Sequence, residues 1–239
     1  MREITKPLYI KAKEYLLDKI RHMQPGSNQL EPENMLTVKL GMSRETIRKA
    51  ISDLIHEGAA SRWHGKGNFG HPGVTSLPMR MDINSDFRRI LEHTGYNVST
   101  IRTEHIVCKP DDDMLKRMPE ASGKSIISFG QLFYADGKLA IQCQVNLLEE
   151  IVIKKPKAGL YTENINAFLQ EYCRKESSHT TAWLKATLQP QISGRFGLDP
   201  TTPLLEWEEV YYDIYDHKLG YIKIYFHPEI MDLSLLLKF

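Results

Sequence analysis

The stretch Gly41-Met42-Ser43-Arg44-Glu45-Thr46-Ile47-Arg48-Lys49 leaves the chain few options. Glycine at 41 permits the positive φ that stops a helix sharply, and serine at 43 is a strong N-cap for a new one. From there Ile47, Ala50, Ile51, Leu54 and Ile55 recur at helical spacing and form a single apolar stripe. Upstream, Pro7 suits the first turn of a helix reaching about His22, with Leu8, Tyr9, Ala12, Tyr15, Leu16 and Ile20 on its inner face. After the turn Pro25–Gln29, Pro32 opens a short helix that puts Met35, Leu36 and Leu40 inward. Gly58 closes the capped helix. The short apolar-polar runs 61–63 and 68–69 then flank His64-Gly65-Lys66-Gly67, where two glycines allow a tight reversal. Helix, helix, glycine turn, capped helix and basic hairpin make a winged helix-turn-helix.

In such a motif the second helix of the pair presents its N-terminal residues to the major groove. Arg44 and Arg48 are four apart and therefore neighbours on the helix surface. Arginine can hold guanine O6 and N7 through two hydrogen bonds. Ser43 and Thr46 are short hydroxyls placed for phosphate near the free N–H groups of the first turn, and Lys49 suits a phosphate from the outer face. His64, Gly65, Lys66 and Gly67 can lay a wing along the backbone or in the minor groove, because glycine allows close approach. Two arginines on a helix commonly mark only a solvated face, and GKG in a hairpin is commonly only a turn. The joint arrangement favours DNA.

Charge follows the same division. The chain has 31 Lys+Arg and 30 Asp+Glu, a net charge of +1. Residues 1–72 carry 12 basic and 8 acidic groups, which is +4, and the remainder 19 and 22, which is −3. A basic first third on an acidic body fits a polyanion partner for that third alone. The apolar runs are too short to span a bilayer, and the N-terminal stretch lacks the apolar segment of a signal peptide. Cys108, Cys143 and Cys173 show neither CxxC spacing nor an even disulfide framework. A reduced, cytoplasmic protein without membrane partner is expected.

Across residues 6–70 the pattern Pro7-Leu8-Tyr9, Pro25-Gly26, Glu33, Leu40-Gly41, Ser43-Arg44, Thr46, Arg48, Leu54, Glu57-Gly58, Arg62, Gly65-Lys66-Gly67 and Phe69 resembles the GntR family of bacterial transcription regulators. The resemblance implies operator contacts by Arg44, Thr46, Arg48, Gly65 and Gly67. Glu31-Pro32 stands where the family usually has Pro-Ser, which alters a local cap.

The stretch 71–82 has two prolines, and residues 73–82 read as a linker between a head at 1–72 and an α+β domain at 83–239. In that domain helices are expected at 85–93, 111–118 and 164–172, and strands at 97–109 and 180–188. Ala135-Asp136-Gly137-Lys138 turns one hairpin, 126–134 with 139–147, and Asp216-His217-Lys218 a second, 204–215 with 220–227. The order resembles the effector domain of the HutC branch, called UTRA, which shares its fold with chorismate lyase. The resemblance implies a homodimer released from its operator by a small metabolite. Family members that bind sugar phosphates carry two arginines before the first hairpin turn and an acid on the return strand. Those positions hold Gln131, Phe133 and Cys143 here, so an anion clamp is missing and a neutral or partly apolar ligand is expected. With Lys223 and Tyr225 from the second hairpin, Gln131 and Phe133 are the candidate effector residues, Lys223 as a partner for a carboxylate or phosphate. Sugars, sugar phosphates and amino-acid-like metabolites are the classes considered.

No HExxH, GxSxG or phosphate-loop motif occurs, and the nine histidines lack i, i+3 or i, i+4 pairing, so no metal, cofactor or catalytic residue is expected. Glu206, Glu208 and Glu209 read as strand-edge charge. The alternative is a small-metabolite enzyme with an accessory DNA-binding head, although a fold shared with a lyase does not carry lyase activity.

Overall fold

The computed structural model describes residues 6–83 and 86–238, which fall into two units, 6–83 together with 233–238 and 86–232. In the first, helices α1 (Leu8–Arg21), α2 (Glu33–Leu40) and α3 (Arg44–His56) precede a two-stranded hairpin, β1 (Ala60–Trp63) and β2 (Gly67–Gly70), and a short α4 (Pro72–Thr75). Ala12, Leu16 and Ile20 of α1 meet Leu36 of α2 and Ile47, Ala50, Ile51 and Leu54 of α3 in one fully buried cluster. The spacing of those residues makes the helices, and their burial holds them together. Met35, expected inward, is exposed, so α2 contributes chiefly Leu36. Gly41 takes φ 60° at the end of α2, and the Ser43 hydroxyl accepts from the Thr46 N–H at 3.1 Å to cap α3.

The far end of α3 is closed by the chain's last residues. Ser234 pairs with Arg80 in a parallel bridge, through Met81 N–H to Ser234 O at 3.0 Å and Ser234 N–H to Met79 O at 3.2 Å. Arg80 donates to Glu57 O at 2.7 Å, and Lys238 Nζ donates to the carbonyls of Ile55 and His56. These are among the carbonyls a helix C-terminus leaves without intrahelical partners, where cations are also favoured by the helix dipole. Thus the stretch 73–82 is not a bare connection, since it carries α4 and Arg80, and residues 233–238 pack with the head rather than with the sheet domain.

The second unit is an antiparallel sheet in the order β7-β3-β5-β6-β10-β9-β8, with β4 also paired to β5. Its centre is two long hairpins, β5 (Ile126–Ala135) with β6 (Lys138–Leu148) and β9 (Leu204–Tyr212) with β10 (Lys218–Phe226). Asp136 and Gly137, at φ 47° and 80°, turn the first. The expected strand at 97–109 is instead two, β3 (Val98–Arg102) and β4 (Ile106–Cys108), both on β5. β7 is Gly159–Leu160 and β8 is His179–Thr187. Helix α5 (Phe87–His93) begins past residue 85 of the expected range, which lies outside the described residues. Helix α6 is Asp112–Arg117 and α8 is Pro190–Arg195. The helix expected over 164–172 starts as α7 (Ile165–Phe168) and widens into a π-turn, Leu169–Cys173.

The central strands are buried on both faces, so near-continuous apolar runs replace alternation. Even positions of β5 and β6 (Ile126, Leu148) face Met114 and Met118 of the α6 segment. Odd positions face α5 and α7, with Phe87 edge-on to Phe133 at 5.8 Å and Phe129 against Phe168 at 5.2 Å.

Candidate nucleic-acid interface and effector cavity

The residues at the start of α3 stand in solvent while the stripe behind them is buried. Arg44 and Arg48 side chains are 75% and 56% exposed. Ser43 Oγ lies 2.8 Å from Thr46 Oγ1 and also caps the helix, so this hydroxyl is engaged within the head. Lys49 Nζ rests 4.7 Å from the centroid of the Tyr9 ring on α1. In the wing, Gly65 and Gly67 take φ 73° and 103°, and His64 and Lys66 are exposed between them. Gln29 holds the tip by donating to Lys66 O at 2.6 Å. A groove of about 820 Å³ brings Arg44 together with His64, Gly65, Lys66 and Gly67, whereas Ser43, Thr46, Arg48 and Lys49 lie outside it.

Three residues not assigned to the DNA-binding site from the sequence belong to this surface. Trp63 is 60% exposed beside Lys66. Arg62 donates to Asn68 Oδ1 and to Glu33 Oε1, each at 2.9 Å. Glu33 Oε2 lies 3.7 Å from Arg48 Nε and 3.9 Å from Arg44 Nε. The signal for Arg62 was its place in the strand entering a basic hairpin. Nothing in the periodicity marks Glu33.

In the sheet domain, Gln131 and Phe133 of β5 line a cavity together with Cys143 of β6 and Ile222 and Ile224 of β10. Lys223 and Tyr225 do not line it. Residues alternate faces along a strand, so when 222 and 224 point to the cavity, 223 and 225 point away. Lys223 instead donates to Asp113 Oδ2 at 2.5 Å on the α6 side, and Tyr225 packs on Phe196. The outer wall is Tyr161–Ile165, held by Arg102 of β3. That guanidinium lies 4.7 to 5.6 Å from the ring centroids of Phe129, Tyr161, Phe168 and Tyr172 and pairs with Glu163 at 2.5 Å. Burial pushes the Glu163 carboxyl up, but the Arg102 bond and the Thr162 N–H outweigh it and hold the group below its ordinary value.

Several polar groups that line the cavity are already engaged within the chain, Asp86 with Arg89 at 3.5 Å among them. Arg88 is committed to Thr100 Oγ1 at 3.0 Å, Tyr161 O at 3.3 Å and Glu92 at 3.3 Å. The buried Tyr161 hydroxyl has no partner among the described residues. Glu209 accepts from the Tyr211 hydroxyl at 2.5 Å, and burial pushes its carboxyl above the ordinary value. Burial likewise pushes the Cys143 thiol well up, which leaves it a protonated apolar group rather than a nucleophile. About 30 Å³ of room remains inside, enough for one or two waters.

Glu206, Glu208 and Glu209, read as strand-edge charge, are buried, because β8 covers β9 on that side. Asp113, Glu206 and Glu208 converge on the opposite face from the cavity. Lys223 and Lys185 contact them at 2.5 to 3.0 Å, and Arg117 reaches Glu208 at 2.7 Å, so each of the three carboxylates has a cationic partner within the chain.

Residues 8–69 match the profile of the family described as bacterial regulatory proteins, gntR family. The chain is 30% identical over 136 residues to the uncharacterized HTH-type transcriptional regulator YurK of Bacillus subtilis, covering 54% of this chain and 53% of that protein. It is 44% identical over 63 residues to the probable fructoselysine utilization operon transcriptional repressor of Escherichia coli K12, 26% of each chain. The matched part thus spans about half or less of these relatives' length. Among solved structures, the possible transcriptional regulator YydK of Bacillus subtilis superposes with TM-score 0.74 at 18% identity over 97% of this chain and all of that one. PhnF of Mycobacterium smegmatis superposes with TM-score 0.57 at 14% identity over 95% of this chain and 99% of that one. The effector domain of PhnF alone gives TM-score 0.56 at 12% identity, covering 67% of this chain and 99% of that domain. At these identities the structures establish the shared fold, a helical head followed by an antiparallel sheet domain. With its matched profile, its capped helix and its basic wing, the N-terminal head is a winged helix-turn-helix of the gntR family of bacterial regulatory proteins.

Proposed function

We propose that the chain is a cytoplasmic transcription regulator of the HutC type, a homodimeric repressor that leaves its operator when a small metabolite binds the sheet domain. The observation that carries this reading is the exposed Arg44/Arg48 pair at the capped start of α3, beside a wing built on Gly65 and Gly67. A dimer sets two such helices about 34 Å apart, one turn of DNA, on a pseudo-palindromic site. The YurK likeness and the repressor likeness support the regulatory reading, and no helix among the described residues is long and apolar enough to cross a membrane. None of the relatives described above supports the alternative of a small-metabolite enzyme.

The effector site in this reading is the cavity at Gln131 and Phe133. With about 30 Å³ free, a metabolite enters only as the Tyr161–Ile165 wall moves outward. That movement is the two-state element an effector can bias, since a ligand shifts an equilibrium only by its differential affinity for the two states. Loss of the Lys223 position from the cavity leaves a neutral, partly apolar ligand as the better fit.

The test is selection of duplexes from a randomised pool by the full chain. Recovery of one pseudo-palindromic sequence is expected, and a pool that stays random refutes the proposal. A thermal-shift screen of sugars, sugar phosphates and amino acids tests the effector side, where a ligand at about 100 times its Kd adds about 2.7 kcal/mol. Stabilisation by sugar phosphates alone contradicts the neutral-ligand reading.

A further inference from the structure

A carboxylate on a DNA-facing surface is a cost, because every phosphate contact is weakened by a nearby negative charge. Glu33 is such a carboxylate, and its surroundings are specific. It begins α2, its side chain is 19% exposed, and it faces three guanidinium groups from two other elements. Oε1 accepts from Arg62 Nη2 at 2.9 Å, which ties the entry strand of the wing to α2. Arg62 is fixed a second time by Asn68, a buried residue of β2. Oε2 lies 3.7 Å from Arg48 Nε and 3.9 Å from Arg44 Nε, adjacent positions on the exposed face of α3.

Which atoms face the carboxylate matters. In both α3 arginines the nitrogen paired with the carboxylate is Nε rather than one of the terminal Nη1/Nη2 fork. That fork is the part of arginine that can bond guanine O6 and N7 together. Arginine has much rotamer freedom to lose when it is fixed, so a side chain held in advance loses less on binding. Helix-dipole stabilisation explains an acid at the first position of α2, but it does not explain contact with three arginines.

We propose that Glu33 is a positioning residue for sequence reading, which orients Arg44 and Arg48 and docks the wing through Arg62, and so gives up phosphate affinity for discrimination between bases. This rests on the proposed reading of α3 as the DNA-reading helix. It predicts effects of opposite sign on two kinds of DNA. Glu33→Gln keeps the shape and removes the charge. Its affinity for the duplex selected by the wild-type chain should fall about tenfold, while its affinity for a scrambled duplex of equal length stays level or rises.

Fluorescence anisotropy on the two duplexes, with circular dichroism to verify the fold, provides the test. A ratio of selected to scrambled affinity lowered at least tenfold is the expected result. A ratio within twofold of wild type overturns the proposal, as does a folded variant that loses both affinities equally. Glu33→Asp, which keeps the charge and shortens the reach, gives a second reading should the glutamine variant unfold. Its ratio should fall while scrambled-duplex affinity stays unchanged, and an unchanged ratio overturns the proposal. If the wild-type chain selects no duplex at all, the proposed function fails first and independently.

Discussion

Replacing Arg102 by methionine should cost the sheet domain about 3–5 kcal/mol, the usual penalty for breaking a buried ion pair from one side. The arginine is 2% exposed and surrounded by Phe129, Tyr161, Phe168 and Tyr172, with the carboxylate of Glu163 at 2.5 Å. Methionine fills much of the same volume, so the loss isolates the charge interactions from a cavity effect. Each cation–π contact is worth roughly 0.5–2 kcal/mol, but four rings share one guanidinium and the values do not add. One offset is visible, since the Arg102 Nε is buried without an acceptor among the described residues. Urea unfolding in a Trp63→Phe background reports the sheet domain through Trp183 and Trp207. At a slope of about 2 kcal/mol per molar, the midpoint should fall by roughly 1.5–2.5 M. Adding Glu163→Leu to Arg102→Met should recover most of the loss, because no charge is then left unpaired. A midpoint shift below about 0.5 M for the single variant would refute the reasoning and remove Arg102 as the anchor of the cavity wall.

Glu209→Gln should stabilise the sheet domain at neutral pH and not below about pH 4.5. The native carboxyl is raised above its ordinary 4.5 by burial, so its contribution is intact below that value and is lost as pH rises through the native one. Melting temperatures from pH 4 to 8 check this, and a glutamine variant less stable than wild type at pH 8 contradicts it. Truncation after Asp232 removes the Ser234–Arg80 pairing and the Lys238 bonds to the end of α3, and should cost the head roughly 2–4 kcal/mol at about 1 kcal/mol per net hydrogen bond. Trp63 fluorescence follows that transition, and an unchanged midpoint would show the tail to be dispensable.

The head was legible because its signals are local. A capping serine, a stopping glycine, a 3.6-residue stripe and two wing glycines each dictate a backbone conformation without help from distant residues. The sheet domain was legible in its hairpins, where Asp136-Gly137 specifies the turn and hence the register. It was less so at 97–109, where the break at Thr103–His105 depends on how β3 and β4 meet β5. The same limit decided the cavity. Gln131 and Phe133 were found from their strand, but choosing 223 and 225 over 222 and 224 required the pairing of β10 with β6, in which Ile224 faces Cys143. Three long-range features left no mark on periodicity at all: the return of the C-terminus to α3, the aromatic setting of Arg102, and the contact of Glu33 with three arginines.

The central claim is that the start of α3 reads bases. Its direct test is anisotropy of wild type and Arg44→Ala on the selected duplex and on a scrambled one, at fixed salt. A loss of about 1–3 kcal/mol is expected on the selected duplex, roughly 5- to 150-fold, with relaxed preference at one base pair and little change on the scrambled DNA. Equal losses on both duplexes would make Arg44 a phosphate contact and contradict the account.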